Sequence, residues 1–526
     1  MYRGFIRRFN FLMEEITINR LLKILRSRFF ICGLAILLEF VQLLVVFYLF
    51  NTYSITISII GYVFYIGVFL YIINKYKNPE TKLPWIIIIM LFFVMGAFVF
   101  MLLTSDNQSK KTIDAYKKNK EKMKPYLKQD KVLEELKKDN SDAYLQANYI
   151  KNVTGLPCYK NTKVSYYKIG EEFHKALLES LRKSEKFILM EYFIIEKGKM
   201  WNSIYEILKE KAKRGVKVFV IYDDFGCMTT LSDKYYKELE ADGINCMPSN
   251  KFTPVLSKIH NNRDHRKITV IDGIIGFTGG INLADEYINE KIKFGHWKDT
   301  AVKLEGEAVK SLTALFFETW NSQTKNVIDI KRFMDIKYDK SDEKCVVVPY
   351  GDGPDDFYED SVAKYVYLNM LNSAKEYIYI TTPYLICDYE ILNTICNCAK
   401  KGVDVRIITP FVPDKKTVFW MTKSNYEVLV KAGVKIYEYI PGFIHAKEFI
   451  CDDMYATCGT VNLDYRSLLH HFECGVWMYN ADCIINMKKN FLETLKVSKE
   501  IINPETELGS MKKILVEVMK VFFPLF

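Results

Sequence analysis

The sequence predicts an α/β fold that occurs twice, behind an N-terminal transmembrane helical region. Three observations predict it: strands and helices alternate in the same order in two stretches after about residue 165, a glycine stands at helix exits in both, and three long apolar runs fall within the first hundred or so residues. A chain of 526 residues is also too long for one hydrophobic core, which calls for two or three domains.

In the first stretch a helical pattern over residues 173–181 leads to a strand-like 186–195. A second helix over 201–213 ends at Gly215 and gives way to a strand over 216–222. The second stretch repeats that order with a helix over 362–373, a strand over 377–381, a helix ending near Lys400 before Gly402, and a strand over 403–408. A further helix is expected over 481–495. The tail 511–526 is amphipathic, and two placements are open to it: on a membrane surface or packed on the rest of the fold.

The apolar runs cover residues 29–50, broken only by Glu39 and Gln42, then 53–73, then 83–103, which carries no charge. Arg3, Arg7, Arg8, Arg20, Lys23, Arg26 and Arg28 put the N-terminus on the cytoplasmic side. Lys75, Lys77 and Lys82 favour the same side, as does the lysine-rich stretch 110–128, so three crossings cannot satisfy every charge. Glu39 is costly in hydrocarbon and makes the first run the exception, leaving two crossings. The expectation is a multi-pass cell-membrane protein whose folded part faces the cytoplasm. The twelve cysteines agree with a reducing compartment, since they follow no disulfide or zinc spacing.

The domain plan is therefore a basic cytoplasmic N-terminus (1–28), a hydrophobic membrane region of two or three spans (29–103), a basic linker (104–160), a first α/β domain (161–335) and a second with the amphipathic tail (336–526). The linker reads either as a solvated connector or as a helix beside the membrane, where each lysine contributes up to roughly 1 kcal/mol next to anionic lipid. A net charge of +10 suits an anionic surface or substrate, and equally suits solubility alone.

The chemistry is carried by one cassette that occurs twice. His265, Lys267 and Asp272 are followed by Gly279-Gly280-Ile281-Asn282; His445, Lys447 and Asp452 are followed by Gly459-Thr460-Val461-Asn462. Each asparagine lies ten residues past its aspartate. On a strand, histidine and lysine two apart face the same side. One histidine can attack phosphorus while lysines and asparagines hold the non-bridging oxygens; the other can protonate the departing oxygen. The chain has seven histidines, and two of them fall in matching cassettes. No metal-type cluster accompanies them, so a metal-free, cofactor-free phosphodiester transfer is the simplest account.

These motifs resemble those of the phospholipase D superfamily, and the wider pattern is similar to its bacterial cardiolipin synthases. The resemblance includes Glu191-Tyr192-Phe193, Asp223-Asp224-Phe225-Gly226, Trp297-Lys298-Asp299-Thr300, Thr382-Pro383-Tyr384 and Asn462-Leu463-Asp464-Tyr465-Arg466-Ser467 with Glu473. It implies two tandem phospholipase D-like domains with pseudo-twofold symmetry and one active site between them. It implies a covalent phosphohistidine and transfer of a phosphatidyl group between two phosphatidylglycerol molecules, giving cardiolipin and glycerol. By position it assigns His265 to attack and His445 to acid/base work, with Lys267, Lys447, Asn282 and Asn462 on phosphate. Asp272 and Asp452 orient the motifs or pair with the opposite histidine. Glu191, Asp223, Asp224 and Glu473 form a second tier.

Phosphatidylglycerol and anionic membrane lipids are the expected partners. No nucleic acid is expected, although the positive charge permits the nuclease rival. Hydrolysis, or transfer to another alcohol, uses the same cassettes, and a non-enzymatic scaffold would leave them unexplained. Two departures from the pattern stand out. Glu448 follows Lys447 and is expected to face away from the histidine and lysine. His470 and His471 precede Phe472-Glu473 and are expected at the surface.

Overall fold

The computed structural model describes residues 55–75, 78–104, 110–128, 130–252, 261–324, 326–339, 343–504 and 508–525, with a few positions between 34 and 48; side chains 55–58, 93, 94, 102, 110, 130 and 510 are excepted. The chain divides into two compact units, one built on residues 1–107 with 251–260 and the other on 108–250 with 261–526.

The expected transmembrane region, and the multi-pass membrane placement built on it, are overturned: among the described residues no helix is long and apolar enough to cross a membrane. The run 29–50 lies almost wholly outside the described residues. The other two runs form helices Ile55–Lys75 and Pro79–Thr104. Part of their apolar surface is spent on pairing. Phe64 meets Phe98 with ring centroids 5.0 Å apart, Tyr71 meets Phe100 at 6.2 Å, and Ile72, Ile89 and Ala97 are buried.

The larger unit holds two sheets. The first runs through β1 (Thr162–Tyr167), β2 (Phe187–Tyr192), β3 (Lys217–Asp223), β4 (Asn245–Ser249), β5 (Lys267–Ile271) and β6 (Ile275–Gly279). A short β7 (His296–Lys298) stands apart, and β8 (Ala301–Gly306) completes the first sheet. The second comprises β9 (Val346–Asp352), β10 (Tyr377–Thr381), β12 (Asp404–Pro410), β13 (Lys435–Tyr439), β15 (Glu448–Cys451), β16 (Tyr455–Gly459), β18 (Glu473–Tyr479) and β19 (Ser498–Glu500). The remaining short strands are β11 (Leu385–Ile386), β14 (Gly442–Ile444) and β17 (Leu463–Asp464).

Strand order is β1-β8-β6-β5-β2-β3-β4 in one sheet and β9-β18-β16-β15-β10-β12-β13 in the other, where β19 adds an edge. The two lists correspond strand for strand. In each, parallel strands joined by helices (β2, β3, β4; β10, β12, β13) adjoin an antiparallel hairpin (β5–β6; β15–β16), and the cassette leads into that hairpin. The central strands are buried along their whole length, as continuous apolar runs require.

One core lies between the sheets, combining Leu189, Val270 and Leu304 with Ile408, Ile450 and Val476 and the helix Val309–Gln323. Outer cores sit under helices Gly170–Arg182 and Lys199–Lys213 on one side and Val362–Ser373 and Tyr389–Lys400 on the other. The stretch expected as a linker forms helices Lys110–Met123, Asp130–Asp139 and Ser141–Thr154, which bury Tyr116, Leu136, Ala147 and Ile150 in the second outer core. The C-terminal helix Ser510–Phe522 packs Val516 against Ile386 and Met421 while Met511, Ile514, Leu515 and Val518 stay exposed.

Candidate active site

Each cassette histidine is anchored by the opposite half of the fold. The His265 amide donates to the carbonyl of Phe472 at 2.9 Å, and the His445 amide to that of Lys298 at 2.7 Å. The residue after each carbonyl supplies a carboxylate to the ring. His265 Nδ1 lies 2.9 Å from both oxygens of Glu473, and His445 Nδ1 lies 2.6 Å from Asp299 Oδ2. A Cβ at Gly280 would fall 2.1 Å from Asp299 Oδ1, so a glycine there lets the carboxylate reach its place.

With Nδ1–H given to a carboxylate, the lone pair of each ring is left on Nε2, the tautomer a nucleophile or base needs. The same assignment directs the Lys447 ammonium, 2.8 Å from His445 Nδ1, to its bond with the His445 carbonyl. Lys267 Nζ likewise donates to the His265 carbonyl at 2.6 Å.

All four groups are buried, and burial sets their protonation. It pushes His265 well below the ordinary imidazole value, with the charges of Lys267 and Lys447 adding to the effect. His445 is lowered to about 4 by burial and Lys447, against the upward pull of Asp299. Lys267 falls to about 8 and Lys447 to about 7, burial being the main cause in each. His265 and Lys447 belong to different halves yet act on one another, so the cassettes form a single site.

The other expected residues divide sharply. Asp272 and Asp452 do not pair with a histidine. Asp272 accepts from the amides of Glu185, Lys186 and Phe187 at 2.7–2.8 Å, and Asp452 from those of Lys375, Glu376 and Tyr377 at 2.8–3.0 Å. Both sit in the left-handed region, at φ +54° and +53°, where they close a hairpin turn and hold the start of the neighbouring strand. Asn282 spends both ends of its amide inside the fold: Oδ1 accepts from Ile194 N and Nδ2 donates to Tyr287 Oη. Asn462 bonds Asp464, and its Oδ1 has no hydrogen-bond partner.

Glu473 orients His265 and also accepts from Thr460 Oγ1. Glu191 faces Thr319 and Asp264, and burial together with Asp264 drives its carboxyl well above the usual range. Asp223 accepts from the amides of Phe225, Gly226 and Asp264, which shapes the loop before the first cassette. Asp224 is buried and its amide donates to Ser249. Glu448 is buried beside Tyr166, its Oε2 accepting from that hydroxyl at 3.4 Å, and burial raises it to about 7.

Two site residues are not evident from the sequence alone. Asp299 follows no cassette spacing; its signal is its place just before β8, as Glu473 begins the corresponding β18. His471, expected at the surface, is buried with its ring 5.3 Å from that of His265 and Nδ1 3.5 Å from Glu473 Oε1. Beside His470, which contacts the carbonyl of Pro524, only tertiary placement distinguishes them. His265, His471 and Glu473 bring metal-type ligand atoms within 4.8 Å of one another. The charges of Lys267, Lys447 and Arg466 around His265 repel a cation there and attract a phosphate.

Two α/β halves that pool their histidine–lysine pairs in one buried site define a phosphoryl-transferring enzyme of the paired-cassette class. The cardiolipin synthase, PLD-like domain family matches residues 177–320 and 367–495, one match in each half. An uncharacterized protein of Streptococcus mutans is 42% identical over 462 residues, covering 88% of this chain and all of its own. Cardiolipin synthase 2 of Bacillus cereus is 34% identical over 442 residues, covering 83% of this chain and 85% of its own. The crystal structure of a phosphatidylserine synthase of Haemophilus influenzae shares the fold, with a TM-score of 0.55 at 15% identity over 73% of this chain and all of that one. The chain belongs to the phospholipase D superfamily and, within it, to the cardiolipin-synthase-like family. Its chemistry is phosphotransfer of that type.

Proposed function

We propose that this protein is a cardiolipin synthase that transfers a phosphatidyl group from one phosphatidylglycerol to another and releases glycerol. The observation that carries the proposal is the pair of buried histidines, each with Nδ1 on a carboxylate of the other half and Nε2 left free to react. Relatives that bear the cardiolipin synthase name support the choice of lipid, as do the cations gathered around His265.

In the proposed sequence His265 Nε2 attacks phosphorus while the bond to the glycerol oxygen breaks, and His445 gives that oxygen a proton. The hydroxyl of a second phosphatidylglycerol then passes its proton to His445 as its oxygen displaces the His265 nitrogen. Lys267 and Lys447 hold the phosphate oxygens through both steps. Asn462 joins them; Asn282 acts by fixing Tyr287 and the Ile194 amide. At about 4 the His445 ring holds no proton to give near neutral pH, and the bound phosphate corrects this, because its negative charge offsets the lysine charges and raises the ring.

Incubating the purified protein with labelled phosphatidylglycerol tests the proposal. Cardiolipin and glycerol in equal amounts are expected. Phosphatidic acid without cardiolipin would overturn the synthase and leave a hydrolase.

A further inference from the structure

We propose that the segment from Asn462 to His471 is the recognition subsite for a hydroxyl-bearing phospholipid headgroup, a polyol joined to phosphate. The proposal rests on the phosphodiester reading of the active site and deepens it by naming what the ligand carries beside its phosphorus.

Buried polar atoms without a hydrogen-bond partner gather in this segment: Asn462 Oδ1, Arg466 Nε and His471 Nε2, while His471 Nδ1 lies 3.5 Å from Glu473 Oε1. Folded proteins rarely leave such atoms unpaired, because each has lost its water and gained nothing in return. Two of these residues stand close to the reacting group. The ring of His471 is 5.3 Å from that of His265, and the Arg466 charge acts on both histidines. Burial keeps His471 neutral, at about 3, so its ring offers one donor and one acceptor.

The chemistry of the atoms identifies the ligand. The Asn462 amide nitrogen gives one hydrogen to Asp464 and, in the proposed reaction, the other to phosphate, which leaves the carbonyl oxygen, an acceptor that wants a hydroxyl or N–H. Arg466 is a cation that wants an oxygen. His471 both gives and takes. A diol beside a phosphate meets all three demands, whereas a quaternary ammonium has no proton to give and is repelled by Arg466. Glu473, whose Oε1 lies 3.5 Å from His471 Nδ1, is also engaged by His265 and Thr460. The first half differs in kind, since both ends of the Asn282 amide are taken and an unpartnered atom beside His445 is the Trp297 indole nitrogen, a donor only, among the rings of Tyr287 and Phe443.

The test compares binding of glycerophosphoglycerol and glycerophosphocholine to the full-length protein by calorimetry, beside the KM and kcat of the corresponding lipids in mixed micelles. The parent should prefer the glycerol headgroup. His471→Phe should cut that preference about tenfold or more, through KM rather than kcat, and His471→Asn, which keeps a donor and an acceptor, should restore most of it. Arg466→Gln should weaken both headgroups, and it keeps the test open if His471→Phe does not fold. A folded His471→Phe with unchanged preference overturns the subsite; so does a fall in kcat alone, which makes His471 a positioning group for His265. Headgroup binding without lipid turnover would instead break the proposed function and leave the subsite standing.

Discussion

The two halves share their strand order and the way each holds its histidine, and they differ in what surrounds it. In both, the histidine amide takes a carbonyl and the ring takes a carboxylate from the partner half. Neither half therefore makes a competent histidine alone. Around His265 one aromatic ring, Phe193 at 5.0 Å, stands among polar and charged neighbours: His471, Arg466, and a Glu473 that meets Nδ1 with both oxygens. Around His445 they are aromatic, with Tyr287, Trp297 and Phe443 at 5.5–5.7 Å. In the proposed reaction the duplicated scaffold supplies two reactive nitrogens, and the unequal linings separate their tasks.

The strongest way to break the comparison is to remove each histidine. His265→Ala and His445→Ala should each lower turnover by roughly 10⁴-fold or more. Labelled phosphate should remain covalently trapped only in His445→Ala, on His265; label trapped on His445 in His265→Ala would reverse the roles. The orienting carboxylates come next. Glu473→Gln and Asp299→Asn, which upset the tautomer, should each cost about 10²–10⁴-fold in kcat. In rapid-quench experiments Glu473→Gln should lose the burst of phosphohistidine and Asp299→Asn should slow the step but not remove the intermediate's site.

The pH profile sharpens the comparison from the lysine side. Lys447 and Lys267 stand at about 7 and about 8 because burial disfavours their charge. Each is protonated below its value and loses its hold on phosphate above it, so kcat/KM should fall as pH rises through that window. Bound phosphate raises both lysines, so the alkaline fall in kcat should lie at higher pH. The smallest effect on chemistry belongs to the cassette aspartates. Asp272→Asn or Asp452→Asn keeps a side chain that tolerates the left-handed backbone but weakens three amide contacts. Each should cost about 1–3 kcal/mol in denaturant unfolding while kcat holds.

The repeated halves were legible because sequence periodicity maps directly onto strand and helix, and helices 362–373 and strand 377–381 fall where the pattern put them. The cassettes were legible because histidine and lysine lie two residues apart on one extended segment. The roles of Asp272 and Asp452 were not: their spacing in the motif says nothing of the amides at 185–187 and 375–377 that they hold. The apolar runs near the N-terminus pointed to membrane crossings, because hydropathy alone does not distinguish a helix that spans from helices that pair.

By itself the sequence determined the duplicated α/β plan, the two histidine–lysine cassettes and the phosphotransfer class, all of which rest on local periodicity and short spacings. Only the tertiary structure decided which carboxylate orients which histidine, and that the cassette aspartates are turn residues. It also placed His471 inside the site and left His470 toward the C-terminal turn. The physical reason is distance along the chain. Glu473 meets His265 across 208 residues and Asp299 meets His445 across 146, and contacts of that range are set by how the two sheets pack.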